Sequence, residues 1–161
     1  MLVFREASTL STLICEDLAR IDPCQQLVRA IGPNLVLVLL MDSAQRRARW
    51  PARYATVLAE DPGSSVLTLT SLGLVERANA AGLVETSRSI ALWRDDSGEA
   101  REITLPEGAQ AVVITLSGAD SPQRTFDGRG NSGEAYSWRL DGQLPVEINI
   151  EPGMEWIFRP R

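Results

Sequence analysis

The sequence predicts an α/β fold with a mixed sheet, followed by a small β meander. Three observations carry this. An almost unbroken apolar segment, NLVLVLLM over 34–41, has the pattern of a strand covered on both faces. Segments with helical spacing flank it on either side. From Arg88 onward the texture changes to short alternating segments separated by turn formers.

Met1 to Phe4 reads as a short extended segment. Polar residues around Ala7 to Thr9 turn it into a second strand that ends at Cys15, just before Glu16 and Asp17. Asp22 can cap a helix with Pro23 at its first position, and Cys24, Leu27, Val28 and Ile31 fall at i, i+3, i+4 and i+7 on one apolar face. Gly32 and Pro33 end that helix. The central apolar strand follows, and a strand–helix–strand crossing of this kind makes a parallel βαβ unit.

Beyond Asp42 and Ser43 lies the arginine-rich stretch AQRRAR, then Trp50 and a helix from Pro51 to Glu60, closed by an Asp61-Pro62-Gly63 turn. The next strand is Ser64 to Thr70. SIALWR, a DDSG turn, REITLP, a PEGAQ turn and AVVITLS then predict antiparallel hairpins. Residues 118–134 are rich in turn formers and read as a loop or linker. The tail suggests a meander: AYSWR, a turn over Leu140 to Gln143, LPVEINI, an EPG turn and MEWIFRP. Three parts result: a main domain over 1–117, a linker over 118–134 and a β extension over 135–161 that packs on the main domain.

Composition narrows the chemistry. The 161 residues carry a formal net charge of -5, which offers no field for a polyanion, so direct nucleic-acid binding is not expected. The longest apolar run is far shorter than the ~20 residues of a membrane-spanning helix, and the first residues lack a basic start with a cleavage site, so the chain reads as cytoplasmic. Two cysteines without CxxC spacing predict neither a disulfide framework nor a zinc site, and no metal or cofactor is expected. The chain has no histidine, so it builds no Ser-His-Asp triad and no Cys-His pair. All sixteen basic residues are arginine, which serves neither as general base nor as Schiff-base amine. Cys, Ser, Thr, Tyr and the carboxylates remain.

TLICEDLARIDP, NLVLVLLMD, RWPARYATVLAEDPGSSVLTLTSLG and SRSIALWRDDSGEAREITLPEGAQAVVITLS, in that order, resemble the second half of the nitrilase (carbon–nitrogen hydrolase) superfamily over roughly residues 1–117. Within it, Leu13-Ile14-Cys15-Glu16-Asp17-Leu18 is similar to the cysteine motif of the glutaminase domains of NAD synthetases. The resemblance implies the carboxyl-terminal half of a four-layer α-β-β-α sandwich, with Cys15 as nucleophile on an amide or nitrile and the backbone N–H of Glu16 as an oxyanion donor. It implies that Met41 and Asp42, at the carboxyl end of the central strand, border the substrate, although the family's usual Pro-Ser-x-Trp is absent there. Apart from the resemblance, the cluster Arg46, Arg47 and Arg49 offers a contact for an anionic substrate or an acidic partner, and Arg49 is counted with the substrate-binding residues. The resemblance further implies a glutamate base and an oxyanion-binding lysine from the first half-domain, so the chain is expected to be incomplete or inactive alone. The uncovered sheet predicts a complementing chain or half-domain, or self-association to a homo-oligomer. The alternative function is a non-catalytic assembly module of a larger protein or complex, such as a bacterial defence-associated protein.

Overall fold

A computed structural model describes residues 2–5, 8–82, 85–122 and 134–148. The protein is mixed α/β. Six strands form one sheet: β1 (Leu2–Arg5), β2 (Ser8–Ile14), β3 (Leu35–Leu39), β4 (Ser65–Leu69), β5 (Ser89–Arg94) and β6 (Ala100–Thr104), in spatial order β1-β2-β3-β4-β5-β6. The pairs β2–β3 and β3–β4 are parallel; β1–β2, β4–β5 and β5–β6 are antiparallel. The parallel pairs need long crossovers, which α1 (Gln26–Ile31) and α2 (Trp50–Glu60) provide.

β3 is central, and its alternate residues supply two cores. Val36, Val38 and Leu40 join Leu13, Leu18, Val28, Ala55, Leu58 and Val66 beneath α1 and α2. Leu35 and Leu37 point the other way and pack with Leu67, Trp93 and Ile103 against Trp138 and Leu140. These last two belong to a second sheet, the antiparallel pair β7 (Ala111–Pro122) and β8 (Glu134–Val146). Helices, six-stranded sheet and two-stranded sheet therefore form three layers.

Polar contacts fix the two-stranded layer in place. Asn34 Nδ2 donates to the Tyr136 carbonyl at 2.7 Å and Ser65 Oγ to the Trp138 carbonyl at 2.8 Å. Arg139 pairs with Asp96 on the β5–β6 turn, and Ser137 Oγ donates to the same carboxylate at 2.9 Å. Beside it the buried Asp95 accepts Trp93 Nε1 at 3.1 Å and Ser97 Oγ at 2.6 Å, so the turn that receives Arg139 is rigidly built.

Several sequence expectations change. AVVITLS was expected to follow β6 as a hairpin partner; instead it leaves the main sheet and pairs with β8. Residues 118–122, expected as linker, continue β7 as far as Pro122. The Leu140–Gln143 turn is absent. β8 runs straight through it, and Thr115 pairs with Gly142 while Leu116 pairs with Leu140, so Asp141 is the extra residue of a bulge. An Asp-Gly pair signals a hairpin only when the flanking segments pair with each other, and here both pair with β7. The EPG turn and MEWIFRP lie outside the described residues.

The helix after Cys15 also differs. Asp22 has the extended backbone of a cap position but its side chain caps nothing, and a wide turn over Ile21–Gln25 precedes α1. That turn shifts the phase of the helix. Gln25 and Val28 face inward, Gln25 Nε2 donating to the Leu18 carbonyl at 3.0 Å, whereas Leu27 and Ile31 are exposed. Gly32, left-handed at φ +61°, ends α1 as expected. A further helix, α3 (Leu72–Ala80), has a weak sequence signature because it buries only Val75; Ser71 caps it by accepting the Leu74 N–H.

No helix among the described residues is long and apolar enough to cross a membrane.

Candidate functional site

β2 and β3 run parallel, so the residues following them emerge at the same end of the sheet. Cys15 follows β2 directly, and Met41 and Asp42 follow β3. Ligands of open α/β sheets bind beyond such carboxyl ends. A cleft of about 540 Å³ opens there, lined by Cys15, Glu16, Ala19, Arg20, Met41, Asp42, Trp50 and Tyr54.

Cys15 has φ +51°, the one left-handed non-glycine residue among the described residues. A residue with a Cβ pays about 1–2 kcal/mol for this conformation. Its cause is local: the chain must turn from extended strand into the 3-10 turn Cys15–Leu18 within one residue, and Asp17 Oδ2 holds the strand end by accepting the Ile14 N–H at 3.3 Å. The bend leaves the Cys15 side chain half-buried on the cleft wall. Asp17 is thus structural, and the first N–H groups of the turn, that of Glu16 among them, have no intrahelical acceptor.

Asp42 organises the opposite wall. Its carboxylate accepts the Ser43 N–H at 2.7 Å, Arg49 Nη2 at 2.9 and 3.2 Å, and Trp50 Nε1 at 3.1 Å, while its carbonyl accepts Thr70 Oγ1 at 2.6 Å. With its lone pairs so committed, this carboxylate positions the wall and has little capacity left to act as a general base. The Arg49–Asp42 ion pair is mostly buried, at 23% and 19% side-chain exposure, and leaves Arg49 Nη1 without an acceptor. Trp50 and Tyr54, one helical turn apart on α2, meet edge to face at 6.0 Å and close the floor.

Four of the five residues singled out in the sequence therefore line one cleft: Cys15, Glu16, Met41 and Asp42. Arg49 does not. Its guanidinium is drawn behind Asp42 and lines an adjoining cleft of about 510 Å³ with Ser43, Leu74 and Arg77. Arg20, Trp50 and Tyr54 complete the cleft without having been singled out as site residues. The i, i+4 spacing of the two aromatics was the available signal, but the same spacing also fits simple packing, and both side chains do pack against the helix-side core.

Glu16 projects into water at 79% side-chain exposure and meets Arg20 at 4.0 Å, a surface pair of little energetic weight. Cys24 is not part of the cleft lining. Partial desolvation, then the Asp17 carboxylate to which its thiol is hydrogen-bonded, push its pKa up, which disfavours thiolate. Among the described residues no group of three or more His, Cys, Asp or Glu side chains could hold a metal ion.

Compared with models of protein families, with curated proteins and with solved structures, the chain gives no match.

Proposed function

We propose that the chain is a nitrilase-like carbon–nitrogen hydrolase domain portion in which Cys15 is the nucleophile and the carboxyl-end cleft takes a small amide or nitrile. The observation that carries this is the left-handed backbone of Cys15 at the junction of strand and turn. Strain at one non-glycine residue is retained where it aims a reactive group. The sulfur would attack the amide carbon while the amine departs with the thiol proton, and water would then cleave the thioester to acid and free thiol. The Glu16 N–H is the chain's own candidate donor to the tetrahedral oxyanion.

This chemistry needs more than residues 1–161 supply. With Asp42 committed to three donors and Glu16 turned to solvent, the described residues of the cleft offer no well-placed base, and the sequence has no lysine to hold the oxyanion. A complementing chain that docks at the carboxyl end of the sheet, beside the exposed Ile14 and Leu39, would bring both. The test is to incubate the full chain with p-nitrophenyl acetate and map the acyl group by peptide mass spectrometry. A hydroxylamine-labile acyl group on the Cys15 peptide, absent from Cys15→Ala, supports the reading; acylation spread evenly over Cys15 and Cys24 contradicts it.

A second reading, a non-catalytic assembly module, is favoured by a separate observation. The β7–β8 pair covers the sheet face over Leu35 and Leu67, where the other half of a four-layer sandwich would sit, yet Ile14, Leu39 and Met41 stay exposed at 63%, 44% and 80%. Ile14 and Leu39 are register partners, so this is one apolar row beside Cys15. An exposed apolar row continuous with a core marks an association surface.

A further inference from the structure

α2 separates two clefts. Trp50 and Tyr54 face the Cys15 cleft, whereas Ala52, Arg53 and Thr56 face a cleft of about 370 Å³ shared with Arg47, Leu92, Arg94, Gly98 and Ala100. Leu92 and Arg94 lie on β5, and Ala100 is the cross-strand partner of Arg94. The lining holds three arginines and no carboxylate.

The charge arrangement sets this cleft apart. Of the eleven arginines whose side chains are described, seven form ion pairs with carboxylates. Arg47, Arg53, Arg77 and Arg94 do not, and three of these four converge here. Acidic residues outnumber basic ones by 21 to 16 in this chain, so leaving three guanidiniums together without a salt bridge is the reverse of what charge balance favours. Glu102 accepts the Arg47 backbone N–H at 2.8 Å, which fixes that residue's main chain, and the Arg47 guanidinium forms no ion pair among the described residues. Arg94 is braced by Nη1 donating to the Gly98 carbonyl at 2.6 Å, and its Nε is buried without an acceptor. α2 adds to the positive field, because its first turn has no acidic residue and no side-chain cap.

We propose that this second cleft binds the phosphate group of a small molecule. Guanidinium forks match the oxygens of phosphate, and three of them converging on one space suit a dianion better than a single carboxylate. The size of the cleft and the net negative charge of the chain select a phosphorylated metabolite over a nucleic-acid strand. The inference is independent of the chemistry assigned to Cys15.

The experiment is calorimetric titration of the full chain with inorganic pyrophosphate, with succinate as the carboxylate comparison. Saturable one-site binding is expected, weakened roughly tenfold by either Arg47→Gln or Arg53→Gln. Arg77→Gln, at the unpaired arginine of a different cleft, should leave it unchanged. Both test residues are exposed, and an unaltered thermal melt shows that the variants fold. The proposal is overturned if pyrophosphate binding does not saturate, if Arg53→Gln binds as well as the original, or if succinate binds as tightly.

Discussion

The indole nitrogen of Trp50 donates to Asp42 Oδ2 at 3.1 Å, and this bond joins the end of the central strand to the start of α2 across the floor of the Cys15 cleft. Arg49 and Ser43 converge on the same carboxylate, so one side chain sets the shape of the wall. Asp42→Ala should therefore cost about 3–5 kcal/mol, because it leaves the mostly buried Arg49 cation unpaired. Urea denaturation followed by tryptophan fluorescence measures it. Asp42→Asn, which keeps one acceptor oxygen in place of two, should cost less than Asp42→Ala.

The strain at Cys15 has its own signature. Cys15→Gly removes the Cβ that resists φ +51° and should be more stable than Cys15→Ala by about 1 kcal/mol. Thermal melts of the two variants check it. A position selected only for packing in an ordinary conformation would give the opposite order.

The register of the two-stranded layer is testable at Gly118. A Cβ placed there would meet the Tyr136 ring at 2.0 Å, so Gly118→Ala should lose about 1–3 kcal/mol. Gly142 has open space around an added Cβ, and Gly142→Ala should change stability by less than about 1 kcal/mol. Chemical denaturation of the pair tests the bulge that sets Gly118 opposite Trp138.

The phase of α1 makes the proposed self-association testable. Leu27 and Ile31 are 54% and 45% exposed on one short helix, so Leu27→Glu should leave stability within about 0.5 kcal/mol while weakening any homodimer that uses this face. Sedimentation velocity of the two proteins at matched concentration gives the answer.

Cys24 carries a pH dependence of definite sign. Its folded pKa is raised, so the folded state holds the thiol proton more tightly than the unfolded chain, and the resulting stability is present below the ordinary thiol range and lost as pH rises through the folded value. Asp17→Asn removes the carboxylate and should speed alkylation of Cys24 at mildly alkaline pH. A rate equal to that of the original chain would contradict the role of Asp17.

What the sequence disclosed follows physical lines. The continuous apolar segment marked β3 as central because a strand between two cores has no polar face, and Pro51 marked the start of α2. Cys15, Glu16, Met41 and Asp42 were singled out through the resemblance, and the parallel pairing of β2 with β3 is what brings them to one end of the sheet. The phase of α1 was not legible, since a single wide turn rotates every later side chain. Nor was the pairing of β7 with β8, or the contacts that Asn34, Ser65 and Asp96 make with residues far along the chain. Arg49 was singled out as part of a cluster of arginines; its pairing with Asp42 is a tertiary event.

Site-resolved alkylation kinetics on the native chain read out the proposal that the fold presents Cys15 as a nucleophile. With iodoacetamide at neutral pH, Cys15 is expected to be modified at least about tenfold faster than Cys24, with the difference abolished in denaturant. Equal rates in the folded chain, or faster modification of Cys24, would contradict it.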